Sequence, residues 1–158
     1  MEHELKKLYN KLANQIAEMI PAEWDDTYYL GEVEKEKKSW SSVFYFTDIK
    51  RAQKIDANSI PGIYKVSEDI YVELLLQLNK TLLEIYDCFI ENGQEPWEQL
   101  SFYFNKSGKF KVKFFYDVMN EEDGGQFVRE IVWAYNTFGY IPAEGTYAKK
   151  VLDKYLNP

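Results

Sequence analysis

Apolar residues recur at helical spacing from the start of the chain: Leu5, Leu8, Leu12, Ile16, Met19 and Ile20. Steps of three and four put them on one face, which predicts a first amphipathic helix. Pro21 ends it, because proline has no N–H for the hydrogen-bond ladder. The period then shortens. Thr27 to Val33 is rich in Tyr and Val, and in Trp40 to Phe46 the residues Trp40, Ser42, Phe44 and Phe46 alternate with Ser41, Val43 and Tyr45. Two strands joined by the charged run Glu34 to Lys38 fit this pattern. Asp48 to Val66 reads as loop, with Asn58, Ser59, Pro61 and Gly62 as turn signals.

A second helix follows. Ser67 is placed to cap it, and Glu68 and Asp69 suit the positive end of its dipole. Ile70, Leu74, Leu78, Leu82, Ile85 and Phe89 form an apolar stripe; Glu73, Gln77, Lys80, Glu84, Asp87 and Glu91 form the polar stripe opposite. Gly93 turns the chain out of the helix. Leu100, Phe102 and Phe104 alternate with Ser101, Tyr103 and Asn105; after a turn at Lys106-Ser107-Gly108, Phe110, Val112, Phe114 and Tyr116 alternate with Lys109, Lys111 and Lys113, a second hairpin. Gly124-Gly125 reads as a turn or helix start. A third helix carries Phe127, Ile131, Ala134, Tyr135 and Phe138 and stops at Gly139, and a short last helix after Pro142 holds Tyr147, Val151, Leu152 and Tyr155. Neither hairpin can bury an apolar face alone. The expected fold is therefore α+β: one antiparallel sheet built from two β-hairpins, with amphipathic helices packed on it. The 158 residues are expected to form a single domain spanning 1–158.

Composition narrows the functional classes. The chain is 46% hydrophobic and 17% aromatic, which excludes disorder. Its formal net charge of −7 argues against nucleic acid or an anionic membrane as direct ligand, since both require a positive face. The single cysteine, Cys88, has no intramolecular partner, so the chain reads as intracellular. The first residues lack the layout of a signal peptide, and no apolar run reaches the roughly 18 residues of a membrane helix. A cytoplasmic location is expected.

Little here suggests catalysis. His3 is the only histidine, so a histidine-based triad and a Cys/His zinc site are both excluded. Phosphate-cradling glycine loops are absent. Glu36-Lys37-Lys38 imitates the tail of a metal-nuclease motif without its upstream residues. Asp117 to Asp123 lacks calcium-loop spacing and reads as a solvated acidic loop. No catalytic, cofactor or metal residues are expected. What stands out is charge sign. Between Lys80 and Lys106 there are five carboxylates, Glu84, Asp87, Glu91, Glu95 and Glu98, and no Lys, Arg or His. Helices that stabilise themselves mix charges at i and i+4, so Glu84, Asp87 and Glu91 are expected to repel weakly until a partner's bases relieve them. Asp117, Glu121, Glu122 and Asp123 form a second acidic patch. Trp133, inside a helix, reads as core. Trp97, beside Pro96 at a helix-to-strand corner, is either core or a half-exposed hot spot.

The run Asn92-Gly93-Gln94-Glu95-Pro96-Trp97 resembles the signature of the YezG-like family of immunity proteins. So does Arg129-x-x-x-Trp133-x-Tyr135-x-x-x-Gly139-x-x-Pro142, with Phe138 where the family pattern has Leu. The resemblance extends over essentially the whole chain, including Met19 to Pro21; Glu34 to Ile60 carries no family motif. It implies a small, non-enzymatic cytoplasmic antitoxin of Gram-positive bacteria that neutralises a nuclease toxin exported by type VII secretion. Together with the charge, it points to partner-binding residues Glu84, Asp87, Glu91, Glu95, Trp97 and Glu98, then Asp117, Glu121, Glu122 and Asp123. The partner is then the nuclease domain of a cognate secreted toxin, with no cofactor, nucleic acid or membrane involved. A carboxylate-based or metal-dependent enzyme, and an adaptor or chaperone for secretion substrates, are the competing classes.

Overall fold

The computed structural model describes residues 1–120 and 122–158. The chain divides into two compact units, Met1–Tyr116 and Asp117–Pro158. The first holds α1 (Glu2–Met19), β1 (Trp24–Val33), β2 (Trp40–Asp48), β3 (Gln53–Asp56), α2 (Ile60–Tyr64), α3 (Glu68–Glu91), β4 (Gln99–Phe104) and β5 (Phe110–Phe115). The second holds α4 (Gln126–Phe138) and α5 (Tyr147–Leu156).

The α+β class is as expected. The sheet runs β3-β2-β1-β4-β5 and is antiparallel throughout. Both predicted hairpins form, β1 with β2 and β4 with β5, and β1 joins them by pairing with β4, Thr27 opposite Phe104 through Glu32 opposite Gln99.

One face of the sheet carries α1 and α3. Leu5, Leu8, Leu12 and Ile16 of α1 and Leu78, Leu82, Ile85 and Phe89 of α3 close over Tyr29, Phe44, Phe46, Leu100, Phe102 and Phe104. Tyr9 stacks on Phe102 at 6.0 Å, which sets α1 over β4. Gly31 lets α3 approach β1: a Cβ there would lie 2.4 Å from Leu82 Cδ1, and Leu82 is fully buried with nowhere to turn. Burial pushes the Cys88 thiol above its ordinary pKa, with Glu4 adding to the effect, so Cys88 is an inert core residue.

Two expectations are corrected. Asp48 to Val66 is structured: β3 pairs with β2, Phe46 opposite Ile55, and a 3-10 turn at Ala57–Ser59 leads into α2. Four residues are too few to display a period, and β3 is held mainly by its neighbour and by Asp48. The buried Asp48 carboxylate accepts from the Arg51 N–H at 3.0 Å and from the Tyr64 hydroxyl, while the Arg51 guanidinium lies 5.4 Å over the Tyr64 ring. Second, the apolar stripe of α3 does not begin at Ile70, which is 59% exposed. Tyr71 takes its place, buried, with its hydroxyl donating to Asn58 Oδ1 at 3.1 Å. Ser67 caps α3 as expected, accepting from the Ile70 N–H.

In the second unit, Ile131 of α4 packs with Val151 and Leu152 of α5. Thr146 caps α5, accepting from the Lys149 N–H at 3.2 Å. Gly139, at φ 71°, ends α4, and its N–H donates to Tyr135 O at 2.9 Å. Trp133 is buried, edge-on to Phe138 at 5.8 Å. Among the described residues no helix is long and apolar enough to cross a membrane.

Candidate functional site

At 100° per residue, Glu73, Lys80, Glu84, Asp87 and Glu91 fall along one edge of α3. Glu73 and Glu91 are exposed. Glu84 and Asp87 are half-exposed and already paired. Lys11 of α1 reaches Glu84 at 3.0 Å, and Lys37, from the turn between β1 and β2, reaches Asp87 at 2.8 Å. A run without bases in sequence therefore acquires at least two in space, from 73 and 50 residues away. The expected repulsion among Glu84, Asp87 and Glu91 is relieved within the chain at two of the three positions. Exposed pairs of this kind contribute only ~0–1 kcal/mol each, so a partner's arginine or lysine can exchange into them at little cost. Glu91 and Glu95 are exposed and make no ion pair among the described residues.

Beyond Glu91 the chain turns a corner that its own hydrogen bonds explain. The Gly93 N–H donates to Ile90 O at 3.1 Å and the Gln94 N–H to Phe89 O at 2.9 Å, with Gly93 at φ 67°. This is a Schellman termination, which needs a residue tolerant of positive φ at that place. Asn92 adds a bond from Nδ2 to Cys88 O at 2.7 Å. Trp97 then drops into the core, 1% exposed, edge-on to Tyr86 at 5.3 Å and to Phe89 at 6.1 Å, and 5.4 Å from Phe114. Of the two readings of Trp97, the structure selects core. Glu98 is buried too, and its backbone bridges strands, its N–H donating to Phe115 O and its O accepting from the Val33 N–H. Neither side chain presents surface to a partner.

Sequence reading missed an apolar strip beside the acids. Val72, Leu76, Leu83 and Ile90, at steps of four and seven, share the neighbouring flank of α3. Val72, Leu76 and Ile90 are exposed, Leu76 at 63%, and Leu83 is half-buried against the core. The run Leu74-Leu75-Leu76 is the one signal that points there, since a helix cannot turn three consecutive leucines onto one face. Acids alongside exposed aliphatics suit docking better than either does alone.

The second acidic patch belongs to the other compact unit. Asp117 is exposed at φ 53°, and Glu122 is exposed, its N–H donating to Asn120 Oδ1. Glu121 lies outside the described residues. Asp123 is turned inward. Its carboxylate accepts from the Gly125 N–H at 2.6 Å and the Asn120 N–H at 2.9 Å, and pairs with Arg129 at 2.9 Å. Burial works against the charge, but the two N–H groups and Arg129 outweigh it and hold the carboxyl below the usual carboxylate range. Arg129, the first residue of the downstream motif, thus fastens the loop that starts α4. The described residues contain no group of three or more His, Cys, Asp or Glu able to hold a metal ion.

A family model for immunity proteins described as YezG-like matches residues 5–152. The chain is 32% identical over 151 residues to the immunity protein YezG of Bacillus spizizenii, covering 94% of this chain and 91% of that protein. It is 31% identical over 144 residues to the type VII secretion system protein EsaG of Staphylococcus aureus, covering 89% and 85%. To the immunity protein YezG of Bacillus subtilis it is 29% identical over 142 residues, covering 89% and 91%.

Proposed function

Because the chain belongs to the YezG-like immunity protein family, we propose that it is a cytoplasmic, non-enzymatic inhibitor of a type VII-secreted nuclease toxin and docks through the acidic edge of α3. The immunity role comes with the family. The nuclease and the surface are our reading. A DNA-cleaving domain presents a positive groove to phosphates, and an acidic protein can meet it. The observation that carries the placement is the joined edge of α3: Glu84, Asp87 and Glu91 on one line, Glu95 exposed at the corner, and the exposed Leu76 and Ile90 on the adjoining flank. Carboxylates steer the encounter, and the aliphatics supply the dry contact that holds it. The exposed Asp117 and Glu122 are a second proposed contact, from the other unit.

The test is a pull-down with the tagged chain from its native cytoplasm. The expected result is one nuclease captured at near-equal stoichiometry, with its DNA cleavage abolished. Several unrelated secretion substrates would favour an adaptor instead. Replacing Glu84, Asp87 and Glu91 together by Lys should slow association and weaken binding about tenfold or more, with the effect shrinking as salt is raised. Full-strength binding by that variant, folded, would remove the contact from α3.

A further inference from the structure

On the α3-bearing face, a groove of about 270 Å³ opens between α1 and the β4–β5 hairpin. Its floor is aromatic: Tyr9, Trp24, Phe102, Phe104 and Phe110. Among the described residues its charged side chains are Lys6, Lys106 and Lys109, and none that lines it is acidic. In a chain with 26 acids against 19 lysines and arginines, that local reversal of sign is specific. α1 stacks on β4 through Tyr9 and stops short of the sheet edge, so Phe110, the first residue of the edge strand β5, is 58% exposed. The rim is built in advance. Asn105 Oδ1 accepts from the Ser107 N–H, the Ser107 hydroxyl and the Lys109 N–H, all within 3.1 Å, which fixes the turn carrying Lys106 and Lys109. Lys106 Nζ sits 5.5 Å over the Trp24 ring.

We propose that this groove docks a short acidic peptide segment of a partner protein, with an aromatic or large aliphatic side chain set between its carboxylates. The apolar side chain rests on Trp24, Phe102, Phe104 and Phe110, and the carboxylates pair with Lys6, Lys106 and Lys109. At about 270 Å³ the groove lies at the small end of ligand-site volumes and has room for one bulky side chain. Aromatics among lysines also suit single-stranded nucleic acid. The exposed Glu18, Glu23 and Asp25, each next in sequence to a lining residue, oppose a polyanion long enough to run past the groove but not a short segment. A preformed rim lowers the ordering cost of binding. The proposal does not depend on the toxin being a nuclease.

The probe is a labelled synthetic peptide rich in Asp and Glu with one central tryptophan, titrated into the full chain and followed by fluorescence anisotropy. Saturable binding is expected, absent for a matched peptide with Lys in place of the acids, and weakened at least tenfold in the Lys6→Glu, Lys106→Glu, Lys109→Glu variant. A Lys50→Glu, Lys150→Glu variant, reversed at exposed lysines outside the groove, should bind the peptide nearly as the parent chain does, and thermal melting confirms that both variants fold. No saturable binding, equal binding of the basic peptide, or undiminished binding by the lysine variant would overturn the proposal. So would tighter binding of a polythymidylate strand, or self-association of the chain that blocks the peptide.

Discussion

Truncating Trp97 to alanine leaves Tyr86, Phe89 and Phe114 facing a cavity where an indole had been. The expected cost is about 3–5 kcal/mol, read as a lower denaturation midpoint in urea. Trp97→Phe should cost much less. The Trp97 Nε1 is buried without a hydrogen-bond partner among the described residues, so losing that donor forfeits no bond. An exposed Trp97 would have given the opposite pattern, little change in stability from either substitution. Sequence could not decide between these because Trp97 sits in a corner with no period to assign it a side. Trp133, inside a periodic helix, was readable as core for that very reason. Tyr71 eluded the reading because steps of four back to Ile70 drift off the buried face; at 100° per residue Tyr71, not Ile70, lines up with Leu78, Leu82 and Phe89.

Elements were legible in proportion to their length and to the chemistry at their ends. α1 with Pro21, α3 with Ser67 and Gly93, and the β4–β5 hairpin all carry many periods or a clear cap. β3 and α2 carry neither, and Asp48 holds them in place. The Tyr64 hydroxyl does most to keep the Asp48 carboxyl below the ordinary carboxylate range; burial opposes this, and Arg51 adds to it. A carboxyl depressed by folding stabilises the fold fully above the unfolded pKa of ~3.9, and that contribution fades as pH falls through the lower folded value. The same sign holds for Asp123. Thermal midpoints should therefore stay nearly level from about pH 7 to about pH 5 and drop below about pH 4. Asp48→Asn should melt lower than the parent at neutral pH and lose less on acidification. Parallel curves for the two proteins would mean that this carboxylate does not hold the β2–β3 connection.

For the molecule as a whole, what sequence could not supply was pairing at long range. Lys11 with Glu84, Lys37 with Asp87, and the lysines and aromatics of the groove all come together from distant segments. The excess of acid was visible in the composition; where it is offset was not. The two compact units also differ in core size. Residues 1–116 enclose a sheet and two long helices, whereas the α4–α5 cluster rests on Ile131, Val151 and Leu152. Chains of about 40 residues rarely bury enough surface to fold unaided. Expressed separately, residues 1–116 should show a cooperative melt by circular dichroism, and residues 117–158 should show none. We take the full chain to work as one immunity domain that keeps both units.

The central place of β1 has a consequence for how the protein is made. Thr27 lies opposite Phe46 on one side and Phe104 on the other. A ribosome that has delivered the first hairpin and all of α3 still leaves the other edge of β1 open. Bare strand edges invite pairing with other chains. Each new copy therefore passes through a sticky interval that ends only when β4 has been synthesised. The length of that interval is set by β3, α2 and α3 with its corner, and its longest part is the segment proposed to meet the toxin.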